Sequence, residues 1–227
     1  MTVHRVAPLS RPLDAVVPVP GSKSIANRAL VCAALANGRS SLGNLPDGDD
    51  TEAMLACLQV LGIDVARASD AAGPVTIDGR GGKLKSGPLQ LQTRLAGTTS
   101  RFVTALATLG RGPYVVDGEA PLRARPMGPL HDALTALGAT VHATERQGHL
   151  PVTVSGPLRG GVDVSIRGDI SSQFLTALML VGPYVPGGLH ITVTTPLVSR
   201  PYLEITKAVM GEFGEAQVTV DDDTLLV

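Results

Sequence analysis

Apolar residues recur along this chain in two alternating registers. In 50–61, Met54, Leu58 and Leu61 fall at i, i+4 and i+7, one stripe of an amphipathic helix. The same stripe returns as Leu130, Leu134 and Leu137, and Met210 and Phe213 continue its last two positions. A glycine closes each stripe, at Gly62, Gly138 and Gly214, a spacing of 76 residues each time. Glycine suits the left-handed position that ends a helix. Alternating, strand-like stretches follow: IDVARA and PVTIDG, ATVHAT and LPVTVSG, AQVTV and TLLV. A second type of helix precedes each stripe. IANRALVCAALANG, RFVTALATLGRG and QFLTALMLVGP align with Arg28, Arg101 and Gln173 in register, and they are apolar almost all round, as a fully buried helix is. Strand-like SSLGNL, YVVDGE and LHITVTT come after them.

The pattern predicts three copies of one α/β unit: strand, buried helix, strand, amphipathic helix, two strands. The repeats cover about 20–80, 81–157 and 158–227. Related by an approximate threefold axis, they would bring three parallel buried helices together. Start signals are legible too. Asp49 with Glu52 makes a capping-box pattern. Pro126 and Pro201 are expected in first turns, where a missing N–H costs nothing. The aspartates at 221–223 read as a solvated hairpin turn.

Composition narrows the function classes. A 44% hydrophobic share and 17% charged residues allow a sizeable core. The net charge of −1 gives no pull toward nucleic acid or an anionic membrane, and aromatics at 3% leave few stacking platforms. No apolar run reaches the length of a membrane span. Cys32 and Cys57 read as reduced, buried thiols, and no Cys or His spacing suggests a zinc site. A cytoplasmic protein is expected.

Against that bland background, cations gather at equivalent places. The buried helices open with GSKSIANR, AGTTSR and GDISSQ, rich in Gly, Ser and Thr. Three N-termini converging would pool unpaired N–H groups and positive dipole ends, which is an anion site before any side chain is counted. Lys23, Arg28 and Arg101 add charge inside those segments, and Arg123, Arg125 and Arg200 stand just before the outer helices. One small polyanion is the expected ligand. The rival readings are a non-catalytic binding module and a structural repeat domain with a solvated basic rim.

The stretches PGSKSIANRAL, DGDDTEAM, LAGTTSRF, GEAPLRARPMGPL, GDISSQFLTALML and PLVSRPYLEIT resemble the EPSP synthase family, in order and across nearly the whole chain. The related UDP-GlcNAc enolpyruvyl transferases, a third rival reading, are less similar at Ser-Lys-Ser and Ser-Arg-Pro-Tyr. The resemblance implies an inside-out α/β barrel domain of three βαβαββ repeats, and transfer of enolpyruvyl from phosphoenolpyruvate to the 5-hydroxyl of shikimate 3-phosphate, with no metal or organic cofactor. It also implies roles. Lys23 would touch both substrates. Ser24, Arg28, Ser171, Ser172, Gln173, Ser199, Arg200 and Tyr202 would hold shikimate 3-phosphate. Gly97, Thr98, Arg125 and Gln173 would hold phosphoenolpyruvate. The chain departs from the family at Leu95, where an Asn is usual, and at Phe102, where a Pro is; both flank the pocket at which glyphosate competes. The family has two domains, and its proton-transferring carboxylates lie in the second. Residues 1–19 are therefore expected to be a strand segment of that other domain and 20–227 the enolpyruvyl transferase domain, binding shikimate 3-phosphate weakly and inactive alone.

Overall fold

A computed structural model describes residues 3–68, 73–214, 217–221 and 224–227. Three helices form its centre: α1 (Lys23–Leu35), α3 (Gly97–Ala107) and α6 (Ser172–Val181). Ten of the 11 residues of α3, nine of the 10 of α6 and nine of the 13 of α1 are buried, which is why these helices lack a continuous polar face. α3 packs on α6 and α1 touches both. Amphipathic helices sit outside them. α2 (Asp49–Val60) lies against α1 and α3, α7 (Arg200–Glu212) against α6 and α1, and α5 (Gly128–Ala136) against α3. A single turn, α4 (Ala120–Arg123), precedes α5. One continuous apolar core runs through all three repeats.

Each repeat carries its own sheet. The first joins β1 (Asn37–Leu42), β3 (Val75–Arg80) and β2 (Asp64–Arg67) in the order β1-β3-β2, all antiparallel, with Ser40 opposite Ile77 and Leu42 opposite Val75. The second, β4-β5-β7-β6, comprises β4 (Leu89–Gln92), β5 (Tyr114–Asp117), β7 (Val152–Ser155) and β6 (Thr140–Ala143). The third, β8-β9-β11-β10, comprises β8 (Asp163–Ile166), β9 (His190–Val193), β11 (Thr224–Leu226) and β10 (Thr219–Val220). In both four-stranded sheets the first strand runs parallel to the second and the rest are antiparallel. The chain is α/β, as expected.

The repeat glycines do what the pattern demands. Gly62 and Gly138 both adopt φ +88° and Gly214 +136°, reversing the chain after α2, α5 and α7. Helix starts differ in detail. α2 is capped by Gly48, without a side-chain hydrogen bond, and Asp49 is already inside the helix. Its carboxylate is taken by Arg94 at 2.6 Å, and that of Glu52 by Arg67, so the expected capping box does not form. Pro126 lies outside α5, whose first turn holds Pro129 instead; Pro201 does sit in the first turn of α7. The first strand begins earlier than SSLGNL, at Asn37. The Asp221 N–H bonds the Thr224 carbonyl across the last hairpin; Asp222 and Asp223 lie outside the described residues. Both cysteines are free and buried, and burial pushes each thiol up to about 12.

Candidate functional site

The starts of α1, α3 and α6 meet at one end of the molecule, around a cavity of about 480 Å³. Lys23, Ser24 and Arg28 enter it from α1, Gly97 and Thr98 from α3, and Ser171, Ser172 and Gln173 from α6. Ser199 and Tyr202 join them from α7, and Arg125 from the segment before α5. These helix starts are tied to one another by side chains. Gln173 Nε2 donates to Thr98 Oγ1 at 3.2 Å, linking α6 to α3. Thr99 Oγ1 donates to the Asp50 carbonyl at 3.1 Å, linking α3 to α2. Lys23 Nζ lies 3.3 Å from Asp50 Oδ2, linking α1 to α2. Ser171 Oγ caps α6 by accepting from the Gln173 N–H at 3.3 Å.

Arg28 is the most enclosed of the cations, 2% exposed. Its Nε donates to Thr206 Oγ1 and its Nη1 to the Ser24 carbonyl, both at 2.7 Å. Nη2 reaches Thr176 Oγ1 and the Tyr202 carbonyl, each at 3.3 Å. The guanidinium also lies between the Phe102 and Tyr202 rings, 5.6 and 5.8 Å from their centroids. Burial pulls it down to about 10, so it remains charged at neutral pH. Arg101 is a second buried cation. It donates to the Gly97 carbonyl at 2.6 Å and lies 5.6 Å from the Phe174 centroid, and its Nε has no partner among the described residues. Burial first, and then the charge of Arg125, pulls it to about 10.

None of Arg28, Arg101 and Arg125 pairs with a carboxylate among the described residues. Arg125 is exposed, but keeping the Arg28 and Arg101 charges out of water without a counter-ion costs several kcal/mol apiece. Rings and neutral oxygens offset part of that, and an anion in the cavity would offset more. Among the described residues that line the cavity, only Asp50 opposes Lys23, Arg28 and Arg125. Gly97 leaves room for two guanidiniums: a Cβ there would stand 2.9 Å from Nη1 of both Arg101 and Arg125, and each would have to shift. Fixed cations, a capped helix start and hydroxyls around one cavity suit a ligand bearing phosphate and carboxylate.

A family profile described as EPSP synthase (3-phosphoshikimate 1-carboxyvinyltransferase) matches residues 9–227. The chain belongs to the EPSP synthase family. Relatives named 3-phosphoshikimate 1-carboxyvinyltransferase include that of Shewanella denitrificans, 44% identical over 203 residues, covering 89% of this chain and 47% of the relative. That of Shewanella halifaxensis is 42% identical over 215 residues, covering 94% and 50%. The chain thus spans about half the length of the curated relatives it matches. EPSP synthase from Acinetobacter baumannii superposes with a TM-score of 0.79 at 25% identity, over 93% of this chain and 46% of that one. The enolpyruvyl transferase NikO from Streptomyces tendae shares the fold, with a TM-score of 0.60 at 16% identity, over 96% and 49%.

Within the EPSP synthase frame, some expected cations stand elsewhere. Arg123 is held by Asp117 at 2.6 Å and Glu145 at 3.1 Å, away from the cavity. Arg200 points toward Glu204 at 3.6 Å and the Val220 carbonyl at 3.2 Å and does not line the cavity. Arg101 supports Gly97 from behind the lining. Asp50 was not expected there; its place in the first turn of the helix after DGD was the available signal. Leu95, Ile170 and Val198 also line the cavity, each more than 40% exposed, and no periodicity marks them. Among the described residues no group of His, Cys, Asp and Glu could hold a metal ion, and no helix is long and apolar enough to cross a membrane.

Proposed function

We propose that this chain is the shikimate 3-phosphate-binding half of an enzyme that transfers enolpyruvyl from phosphoenolpyruvate to the 5-hydroxyl of shikimate 3-phosphate in the cytoplasm. The convergence of three helix N-termini on Lys23, Arg28 and Arg125 carries this reading. Ser24, Arg28, Ser171, Ser172, Gln173, Ser199 and Tyr202 surround shikimate 3-phosphate, with Arg200 behind the last two. Gly97, Thr98 and Arg125 meet phosphoenolpyruvate, and Lys23 lies between the two. Clamping both anions orients the hydroxyl toward the enol carbon, and orientation alone is worth roughly 7–11 kcal/mol. The carboxylates that move protons belong to a complementary half, to which residues 1–19 contribute a strand. The exposed Leu95, Ile170 and Val198 at the rim suit closure by that half. The test is thermal unfolding with shikimate 3-phosphate and, separately, UDP-GlcNAc. At 100 times its dissociation constant the true ligand adds about 2.7 kcal/mol. Stabilisation by the nucleotide sugar alone refutes the reading. So does phosphate release by the chain unaided.

A further inference from the structure

The outer helices turn the same stripe inward in each repeat, and the third repeat breaks its rule at one position. Met54 opens the stripe of α2 and Leu130, 76 residues on, that of α5; both are fully buried. The equivalent residue of α7 is Thr206, equally buried. A hydroxyl in a core position is costly unless it is hydrogen-bonded, and a break in an otherwise consistent pattern marks function more often than chance.

The Thr206 hydroxyl has one proton, and it goes to the Tyr202 carbonyl one turn back, at 2.7 Å. Only acceptor sites then remain on the oxygen. One takes the Arg28 Nε–H at 2.7 Å. The other faces Thr176 Oγ1 at 3.2 Å, so Thr176 is the donor of that pair. Thr176 accepts in turn from Arg28 Nη2 at 3.3 Å. Two threonines, from α6 and α7, therefore fill the Nε/Nη2 edge of a guanidinium from α1. Elsewhere in the molecule that edge holds a carboxylate: Arg39 grips Asp78 with it, Arg123 grips Asp117 and Arg167 grips Asp169.

Arg101 shows what the pair adds. It is the counterpart of Arg28 in α3, and by the repeat Met54 and Val31 stand to it as Thr206 and Thr176 stand to Arg28. Both are apolar, and the Arg101 Nε has no partner among the described residues. Thr104, in the place of Thr176 on α3, donates back to the Ser100 carbonyl of its own helix at 2.7 Å.

We propose that Thr206 and Thr176 are positioning residues of the anion site, a neutral clamp standing where a carboxylate would otherwise hold Arg28. A carboxylate would fix the guanidinium and cancel its charge; two hydroxyls fix it and leave the charge to the ligand. Four of the five N–H groups are then spent on the chain itself, the fourth on the Ser24 carbonyl through Nη1. The second N–H of Nη1 has no partner among the described residues and is left for the ligand. Arg28 thus gives its ligand one hydrogen bond and a full charge rather than a bidentate fork.

Hindered rotation of the guanidinium is the signature to measure. In the isotopically labelled 227-residue chain without ligand, NMR should resolve separate Nη1 and Nη2 signals for Arg28 and a slowly exchanging Nε–H. Thr206→Val should merge the Nη signals and speed the exchange, Thr206→Ser should restore both, and Thr104→Val should change neither. In calorimetry Thr206→Val should bind shikimate 3-phosphate at least about tenfold more weakly, Thr176→Val about threefold, and Thr206→Ser within about twofold of the unaltered chain. Should Thr206→Val not fold, Thr176→Val, which copies Val31 of α1, carries the same two readouts. The choice of ligand rests on the function proposed above, whereas the Arg28 signals do not. No binding by the unaltered chain would refute that function, and the signals alone would then decide the clamp. Unchanged Arg28 signals in Thr206→Val overturn the proposal, and so do loosened signals with undiminished binding.

Discussion

His131 shows how one side chain can set a response to pH. It stands in α5, 2% exposed, and neither ring nitrogen has a hydrogen-bond partner among the described residues. Burial, with a smaller contribution from the charge of His149, pulls it down to about 4. A histidine in the unfolded chain titrates near its ordinary 6.5. Between those values the unfolded chain takes up a proton that the folded chain refuses, so stability falls as pH drops through about 6.5 toward 4. From pH 7 to pH 5 the loss should be on the order of 2 kcal/mol in urea unfolding, and His131→Phe should remove most of that slope. An unchanged slope in the variant would place the acid sensitivity elsewhere. Gly97 makes the complementary case at the cavity. Gly97→Ala would push on both Arg101 and Arg125, and binding of phosphate-bearing ligands should weaken about tenfold in calorimetry, equivalent to about 1.4 kcal/mol. Lys23, Arg28 and Gly97 were legible in the sequence because helix starts and cations coincide there. The burial of His131 was not, since a lone histidine carries no periodic signal. Nor were the aromatic faces on Arg28, which come from two other repeats.

At the scale of elements, helix ends were the most legible feature, for a steric reason. Gly62 and Gly138 hold φ +88°, a region that side chains with a Cβ enter only at a cost. Gly62→Ala and Gly138→Ala should each cost about 1 kcal/mol in chemical denaturation, and their effects should add, because Gly62 packs on Lys85 and Gly138 on Arg159, with no neighbour in common. Gly79 is a harsher case of another kind. It lies on β3 where the sheet meets the end of α1, and a Cβ would stand 2.3 Å from the carbonyl oxygens of Ala33 and Ala36. Backbone cannot yield there as a side-chain tip can, so Gly79→Ala should cost at least about 3 kcal/mol, measured beside Gly62→Ala in the same denaturant series. An equal cost would mean that β3 slides freely on α1. The strand pattern hid this contact, since a glycine inside VTIDGR looks merely like a strand end. The start of α2 was misread for a related reason. Asp49 and Glu52 have cap chemistry, but Arg94 and Arg67 arrive from other elements and claim both carboxylates.

For the whole molecule, the spacing of 76 residues marks three units, but spacing cannot say whether repeats form a line or a ring. In a linear array each unit touches only its neighbours, and ends can unfold alone. Here α1 of the first repeat meets α3 of the second and α6 of the third, and α7 returns to α1. The ring is closed by buried residues of all three repeats in one core. A defect in the last repeat should therefore destabilise the first. Leu178 lies fully buried on α6. Leu178→Ala should cost roughly 2–5 kcal/mol, the range for a leucine cavity in a packed core. In native-state hydrogen exchange the slowest amides of α1 and α3 should lose that same amount, and thermal unfolding should remain one transition at a lower temperature. If α1 and α3 kept their protection while α6 lost its own, the repeats would behave as a line, and the anion cavity could not depend on all three helix starts being held together.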